Sequence, residues 1–268
     1  MNLYFKEKQM SKINRKAIIT GGSKGIGKAV AKRFAKEGID VYLLASNQEN
    51  LKKTSSELKN KYKIDVFYHA SDLKTKLGCE SAIKNVENNF KDFDTLIFSA
   101  GATKSGDFLK QPIEDFEDGF ALKFYSAVRL SKAFWPTLSK NKGWVVSING
   151  AMSHSPDPFF MVGGAVNAAF LNFSKALSKK GLIDGVNVNS INPGMTSTDR
   201  LITIIQSTAD REGISFAEAE TKALKNIGLD RFGTPEEVAE LTYFLCNPKM
   251  RHLTGTEINL DGGKKTTI

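Results

Sequence analysis

The segment that most narrows the fold is Thr20-Gly21-Gly22-Ser23-Lys24-Gly25-Ile26-Gly27, which follows an apolar run at 16–20 and precedes an amphipathic stretch. Glycines between a strand and a helix let the chain turn sharply, let the backbone approach an anionic ligand, and let the helix pack closely on the strand. The free N–H groups at the helix start then face that ligand. A helix is predicted to open at Gly27 and run to Glu37, with Val30, Phe34 and Ala35 on one side and lysines on the other. A strand before and a helix after distinguish a phosphate-binding loop from an ordinary glycine-rich turn.

The same rhythm continues along the chain. Short apolar runs near 16–20, 41–45, 65–69, 95–99, 144–148, 186–191 and 257–260 read as strands, each but the last followed by helical spacing. Alternation of this kind predicts an α/β fold: a doubly wound parallel sheet of about seven strands with helices on both faces. No internal repeat or low-complexity linker divides the sequence, so residues 13–268 are expected to form one domain after an N-terminal extension at 1–12. One long interruption, about 195–232, follows the sixth strand. Insertions beyond the carboxyl ends of such strands lie over the ligand crevice, which makes this segment the expected lid.

Composition removes several function classes. Lys and Arg outnumber Asp and Glu by 38 to 29, yet the lysines are scattered along amphipathic segments without a dense basic block, so no nucleic-acid partner is expected. A solvated basic surface that attracts an anionic small molecule fits better. Cys79 and Cys246 have neither CxxC spacing nor metal-like neighbours, which predicts no disulfide framework and no metal site. The start of the chain lacks the pattern of a signal peptide, and there is no apolar run of about 18 residues to span a membrane. A cytoplasmic setting is expected.

The glycine segment has the form TGxxxGIG and, with this strand order, resembles the short-chain dehydrogenase/reductase family. Other stretches carry the resemblance in register: Asp72-Leu73, Ser99-Ala100-Gly101, Asn192-Pro193-Gly194 with Thr198, the run Arg231 to Ala239, Thr254-Gly255, and Asp261-Gly262-Gly263. The resemblance spans about 16–263 and implies a Rossmann fold that binds a dinucleotide. It implies phosphate contacts at Gly21, Ser23, Lys24, Gly25, Ile26 and Gly27, and ribose contacts at Ser46 and Asn47. Adenine contacts fall at Asp72 and Leu73, with further cofactor contacts at Ser99, Ala100 and Gly101. The nicotinamide is expected at Pro193, Gly194, Met195, Thr196 and Thr198. An acid at the end of the second strand would favour NAD; Ala45-Ser46-Asn47 offer none, and Lys24 is placed to pair with a 2′-phosphate, so NADP(H) is favoured over NAD(H). A small, partly apolar carbonyl or alcohol is the expected substrate, and a homodimer or homotetramer the expected assembly.

The family's chemistry uses an asparagine, a serine, a tyrosine and a lysine four residues beyond the tyrosine. Aligned from both sides, these positions fall on Lys123, Gly150, Gly163 and Asn167, and none keeps the family residue. Glycine offers no proton and an asparagine amide does not ionise. The candidate replacements are Lys123, the amide of Asn149, and His154, the histidine nearest the site. Two glycines and a short Asn167 also predict an enlarged cavity beside the nicotinamide. Two readings follow: an oxidoreductase of atypical mechanism, or a non-redox member that serves as a cofactor-binding scaffold, regulatory subunit, lyase or isomerase.

Overall fold

The computed structural model describes residues 15–263; the expected extension at 1–12 lies outside them. Seven strands form one parallel sheet in the order β3-β2-β1-β4-β5-β6-β7. They are β1 (Lys16–Thr20), β2 (Asp40–Ala45), β3 (Val66–Ala70), β4 (Thr95–Phe98), β5 (Trp144–Ile148), β6 (Asn187–Pro193) and β7 (Glu257–Leu260). All seven coincide with apolar runs in the sequence. The helices are α1 (Gly25–Lys36), α2 (Gln48–Tyr62), α3 (Lys76–Asn89), α4 (Ile113–Gly119), α5 (Ser126–Lys140), α6 (Met161–Asp184), α7 (Asp199–Glu212), α8 (Phe216–Ile227) and α9 (Pro235–Leu245). A π-helical segment, Phe120–Tyr125, joins α4 to α5. The first helix opens at Gly25, two residues before the predicted Gly27.

Alternate residues of a strand face opposite sides of the sheet. Ala17 and Ile19 of β1 therefore join Phe34, Leu51, Leu58, Val238 and Leu245 under α1, α2 and α9. Ile18 joins Val86, Leu130, Phe134 and Phe170 under α3, α5 and α6. Each fully buried side chain of this size contributes roughly 2 to 3 kcal/mol. The sequence from 195 to 232 folds as α7 and α8 around a third, smaller core of Leu201, Ile205, Ala209, Ala219 and Phe232. Its stretch at 207–215, which reads as polar, is helical as far as Glu212 because alternate turns supply buried Ala209 and solvated charges. Cys79 and Cys246 are both buried and unbridged. Among the described residues no helix is long and apolar enough to cross a membrane, and no cluster of three metal-ligating side chains occurs.

In this strand order the chain reverses direction of winding between β1 and β4. The carboxyl ends of those two strands splay the following loops apart and open a crevice, where doubly wound sheets bind ligands.

Candidate active site

Thr20 ties the two loops at the switch point together. Its buried Oγ1 accepts hydrogen bonds from the Ser99 and Ala100 amides at 3.1 and 3.0 Å, while the Gly21 amide donates to Leu44 O at 2.7 Å. The glycine loop is consequently pressed against its neighbours. A β-carbon at Gly27 would lie 2.2 Å from the Gly21 carbonyl oxygen, so only glycine lets α1 sit this close to the turn. Lys24 stands at the N-cap of α1 without making a side-chain cap, and the first turn carries no acid. The opening N–H groups are thus available to an anion. Ser23 is buried beneath the loop, and Lys24 is exposed.

Other residues that the sequence marks for a cofactor stand just beyond the carboxyl ends of β2, β3 and β6. Leu73 is buried and Asp72 exposed after β3. Ser46 is exposed, and Asn47 caps α2 by accepting from the Asn50 amide at 2.8 Å. From the far side comes the loop after β6: the Gly194 amide donates to Leu260 O at 3.0 Å, and Thr196 forms a bridge with Gly233. Thr198 caps α7, and its Cγ2 lies 3.5 Å from where a Gly25 β-carbon would be, so the loops after β1 and β6 face each other. Behind them Arg231 grips Glu237 at 2.8 Å inside a capping box with Thr234. That guanidinium and the Thr234 amide hold the Glu237 carboxyl down to about 2.

Lys123 projects from the π-helical segment into the crevice floor. Its Nζ donates to Asn149 O at 2.5 Å and to Asn167 Oδ1 at 2.6 Å, and its aliphatic chain passes 3.3 Å from a β-carbon position at Gly101. Burial, followed by the repulsion of the Arg200 cation, pushes the Lys123 ammonium from its ordinary 10.5 down to about 7. Lys123, Asn149, Gly150 and Asn167 are therefore gathered at one point from three elements. Asn149 enters the cluster through its main-chain carbonyl; its Nδ2 donates instead to Ser147 Oγ at 3.3 Å within the sheet.

Residues 21–265 match a family model described as enoyl-(acyl carrier protein) reductase. The chain belongs to the short-chain dehydrogenase/reductase family. An NADPH-dependent reductase from Bacillus subtilis, BacG, is 27% identical over 256 residues, covering 95% of this chain and 99% of the relative. L-sorbose reductase from Gluconobacter frateurii, solved with NADPH and L-sorbose, superposes with a TM-score of 0.89 at 28% identity, covering 95% of this chain and 98% of that one. A short chain oxidoreductase from Pseudomonas aeruginosa PAO1 containing an atypical catalytic center, solved with NADPH, superposes at 0.84 with 25% identity, covering 95% and 98%.

Within this dehydrogenase/reductase the histidine stands apart. His154 pairs with Glu257 of β7 and lines a separate cavity of about 580 Å³ whose walls include Lys175 and Ser190 but none of Lys123, Asn149, Gly150 or Gly163. The enlarged cavity expected from the small residues is filled. A β-carbon at Gly163 would sit 1.9 Å from Phe160 Cε1, so the ring of Phe160 occupies the space that a larger side chain would take. At Gly150, φ is +143° and a β-carbon would meet Asn167 Nδ2 at 2.8 Å.

Phe160, which with Phe159 reads from the sequence as an apolar pocket residue, belongs to the site, and so does Arg200, which the sequence does not mark. Arg200, at the start of α7, donates from Nη1 to Gly101 O at 3.3 Å and from Nη2 to Thr103 O and Oγ1 at 3.2 and 2.9 Å. Arg200 also faces the Phe160 ring at 5.7 Å, and Arg211 of the same helix faces Phe159 at 4.2 Å. These contacts hold α7 down on the segment leading into α6.

Proposed function

We propose that the chain is an NADP(H)-dependent reductase of small carbonyl compounds in which the buried amine of Lys123, in place of a tyrosine, delivers the proton. The observation that carries this is the geometry at Nζ. An ammonium has three N–H donors, and two of them are committed to Asn149 O and Asn167 Oδ1. The third is left for a ligand oxygen, and the neutral amine that remains after proton transfer still satisfies both protein acceptors. A pKa near 7 suits such a donor at neutral pH.

In this proposal Gly21, Ser23, Lys24, Gly25, Ile26 and Gly27 hold the cofactor phosphates, and Ser46, Asn47, Asp72 and Leu73 hold the adenosine. Ser99, Ala100, Gly101, Pro193, Gly194, Met195, Thr196 and Thr198 line the nicotinamide half. The close-packed glycine loop and the uncapped start of α1 fit an anion approaching along the backbone. When bound, the reduced dinucleotide supplies the hydride. The carbonyl carbon accepts it, the carbonyl oxygen takes the proton from Nζ, and the amine is left neutral until solvent reprotonates it.

The family positions for asparagine, serine, tyrosine and lysine fall in this reading on Lys123, Gly150, Gly163 and Asn167. Asn149 O and Asn167 Oδ1 then hold the amine in place where the family would use tyrosine and lysine. The description of the Pseudomonas relative as having an atypical catalytic center supports a departure of this kind. α7 and α8 form the lid in the same proposal, and residues 13–268 act as one dinucleotide-binding domain. A homodimer or homotetramer belongs to it as well, supported by the exposed Tyr125, Leu182 and Ile183 beside α5 and on α6.

NADP(H) preference is supported by the NADPH dependence of BacG and by the NADPH bound to both solved relatives. It also follows from the absence of an acid after β2 and the exposed position of Lys24 at the loop. Lys24→Ala should weaken NADPH about 10-fold, the worth of a charge-assisted phosphate contact, and leave NADH within about twofold. Fluorescence titration reads this directly. Equal loss for both nucleotides would remove the 2′-phosphate assignment, and failure to oxidise NADPH with any aldehyde or ketone would remove the reductase reading.

A further inference from the structure

Two cations flank the Gly101 peptide on the floor of the crevice. Lys123 Nζ lies 3.7 Å from a β-carbon position at Gly101, and Arg200 Nη1 donates to the Gly101 carbonyl at 3.3 Å. Neither has a carboxylate within 4.0 Å among the described residues; their partners are amide and hydroxyl oxygens. Other partly buried arginines differ among themselves: Arg251 is likewise held by neutral oxygens, those of Gly143 and Asn187, whereas Arg15 is paired with Asp94 at 2.8 Å, and Arg33 with Glu240 at 2.7 Å. Two like charges taken out of water without a counter-charge are costly unless an anion joins them.

We propose that the site takes carbonyl compounds that also carry a carboxylate, with Arg200 pairing with that carboxylate while Lys123 faces the carbonyl oxygen. The proposal rests on the reductase reading above. Arg200 has five N–H donors in a planar fork, and three are used by Gly101 and Thr103, which fix the plane and leave two for a ligand. Phe160 limits the guanidinium on one side. The cofactor's pyrophosphate is the other anion to weigh. It belongs at the glycine loop, where Gly25 faces Thr198, whereas the contacts of Arg200 are with Gly101, Thr103 and Phe160, and Gly101 is also the neighbour of Lys123.

The test uses the full chain with a panel of short 2-oxo and 3-oxo acids, each paired with its methyl ester. With NADPH, the acid should exceed its ester in kcat/KM by roughly 100-fold, the scale of a charge-assisted pair in a desolvated site. Arg200→Met should bring the ratio to within a few-fold of one, and Arg200→Lys should keep part of it. A binding measurement separates this from the reductase reading: oxo acid, and not ester, should raise the melting temperature of the NADP⁺ complex of the wild type and not of Arg200→Met. If nothing in the panel is reduced but this selective stabilisation is seen, the reductase reading fails and the carboxylate site stands. Equal turnover and equal stabilisation by acid and ester would overturn the proposal. So would Arg200→Met that weakens NADPH 10-fold or more while keeping the acid preference, because Arg200 would then serve the cofactor.

Discussion

Lys123→Met should lower kcat for carbonyl reduction by about 10²- to 10⁴-fold, the usual worth of a positioned acid, and leave NADPH affinity within about threefold. Methionine matches the reach and apolar body of the lysine stem that passes Gly101, so packing is largely kept. What is lost is the donor that joins Asn149 O to Asn167 Oδ1 and keeps a third N–H unused by those two acceptors. Lys123→Arg sharpens the result. A guanidinium keeps the charge and the donors but holds its protons at any working pH, so it should rescue folding and leave turnover low. Steady-state kinetics together with NADPH titration of the three proteins would check this; turnover near the wild-type rate in Lys123→Arg would assign Lys123 a structural role.

The same residue should make stability depend on pH. Burial and Arg200 lower the folded-state pKa from 10.5 to about 7, so between those values the unfolded chain holds a proton that the folded chain has released. Unfolding free energy rises with pH wherever the unfolded state binds more protons. Below about pH 7 the full cost of the buried charge is present, and it is relieved progressively as pH rises toward 10.5. Other groups titrate across this range too, so the informative quantity is the difference between Lys123→Met and the wild type. Urea denaturation should show the methionine variant gaining about 3 kcal/mol relative to wild type at pH 6 compared with pH 9.5. An identical difference at both pH values would mean that the amine is not buried as a charge at pH 6.

Much of this architecture is legible in the sequence because parallel strands covered on both faces leave continuous apolar runs, as at Ile18-Ile19 and Leu43-Leu44. The glycine loop is legible for a different reason: close approach of Gly27 to Gly21 excludes any other residue. Helix boundaries are less so. Gly25 and Gly27 are equally plausible openings by composition, and only backbone geometry separates them. The location of Lys123 follows from its distance along the chain to the strands around it. Its partners do not, since Asn149 O and Asn167 Oδ1 come from 26 and 44 residues away.

The packing of Phe160 and the role of Arg200 depend on tertiary contacts of another kind. Nothing in Phe160-Met161-Val162-Gly163 indicates that the ring folds back over the glycine three residues on, which turns an expected cavity into packed space. Arg200 reads as an ordinary residue in the first turn of a polar helix until α7 is seen to lie against Thr103. His154 errs in the opposite direction. A histidine just after β5 is a reasonable acid on sequence grounds, but β7 docks beside β6 and delivers Glu257 to it from 103 residues further along.

The proton source itself is read most directly by the pH dependence of carbonyl reduction at saturating NADPH and substrate between pH 5.5 and 9.5. An ammonium donor with a pKa near 7 predicts a level kcat below about pH 7 that falls tenfold per pH unit above it, and the loss of that inflection in Lys123→Met. A profile that stays flat from pH 6 to 9, or one that keeps its inflection in Lys123→Met, would contradict Lys123 as the proton donor.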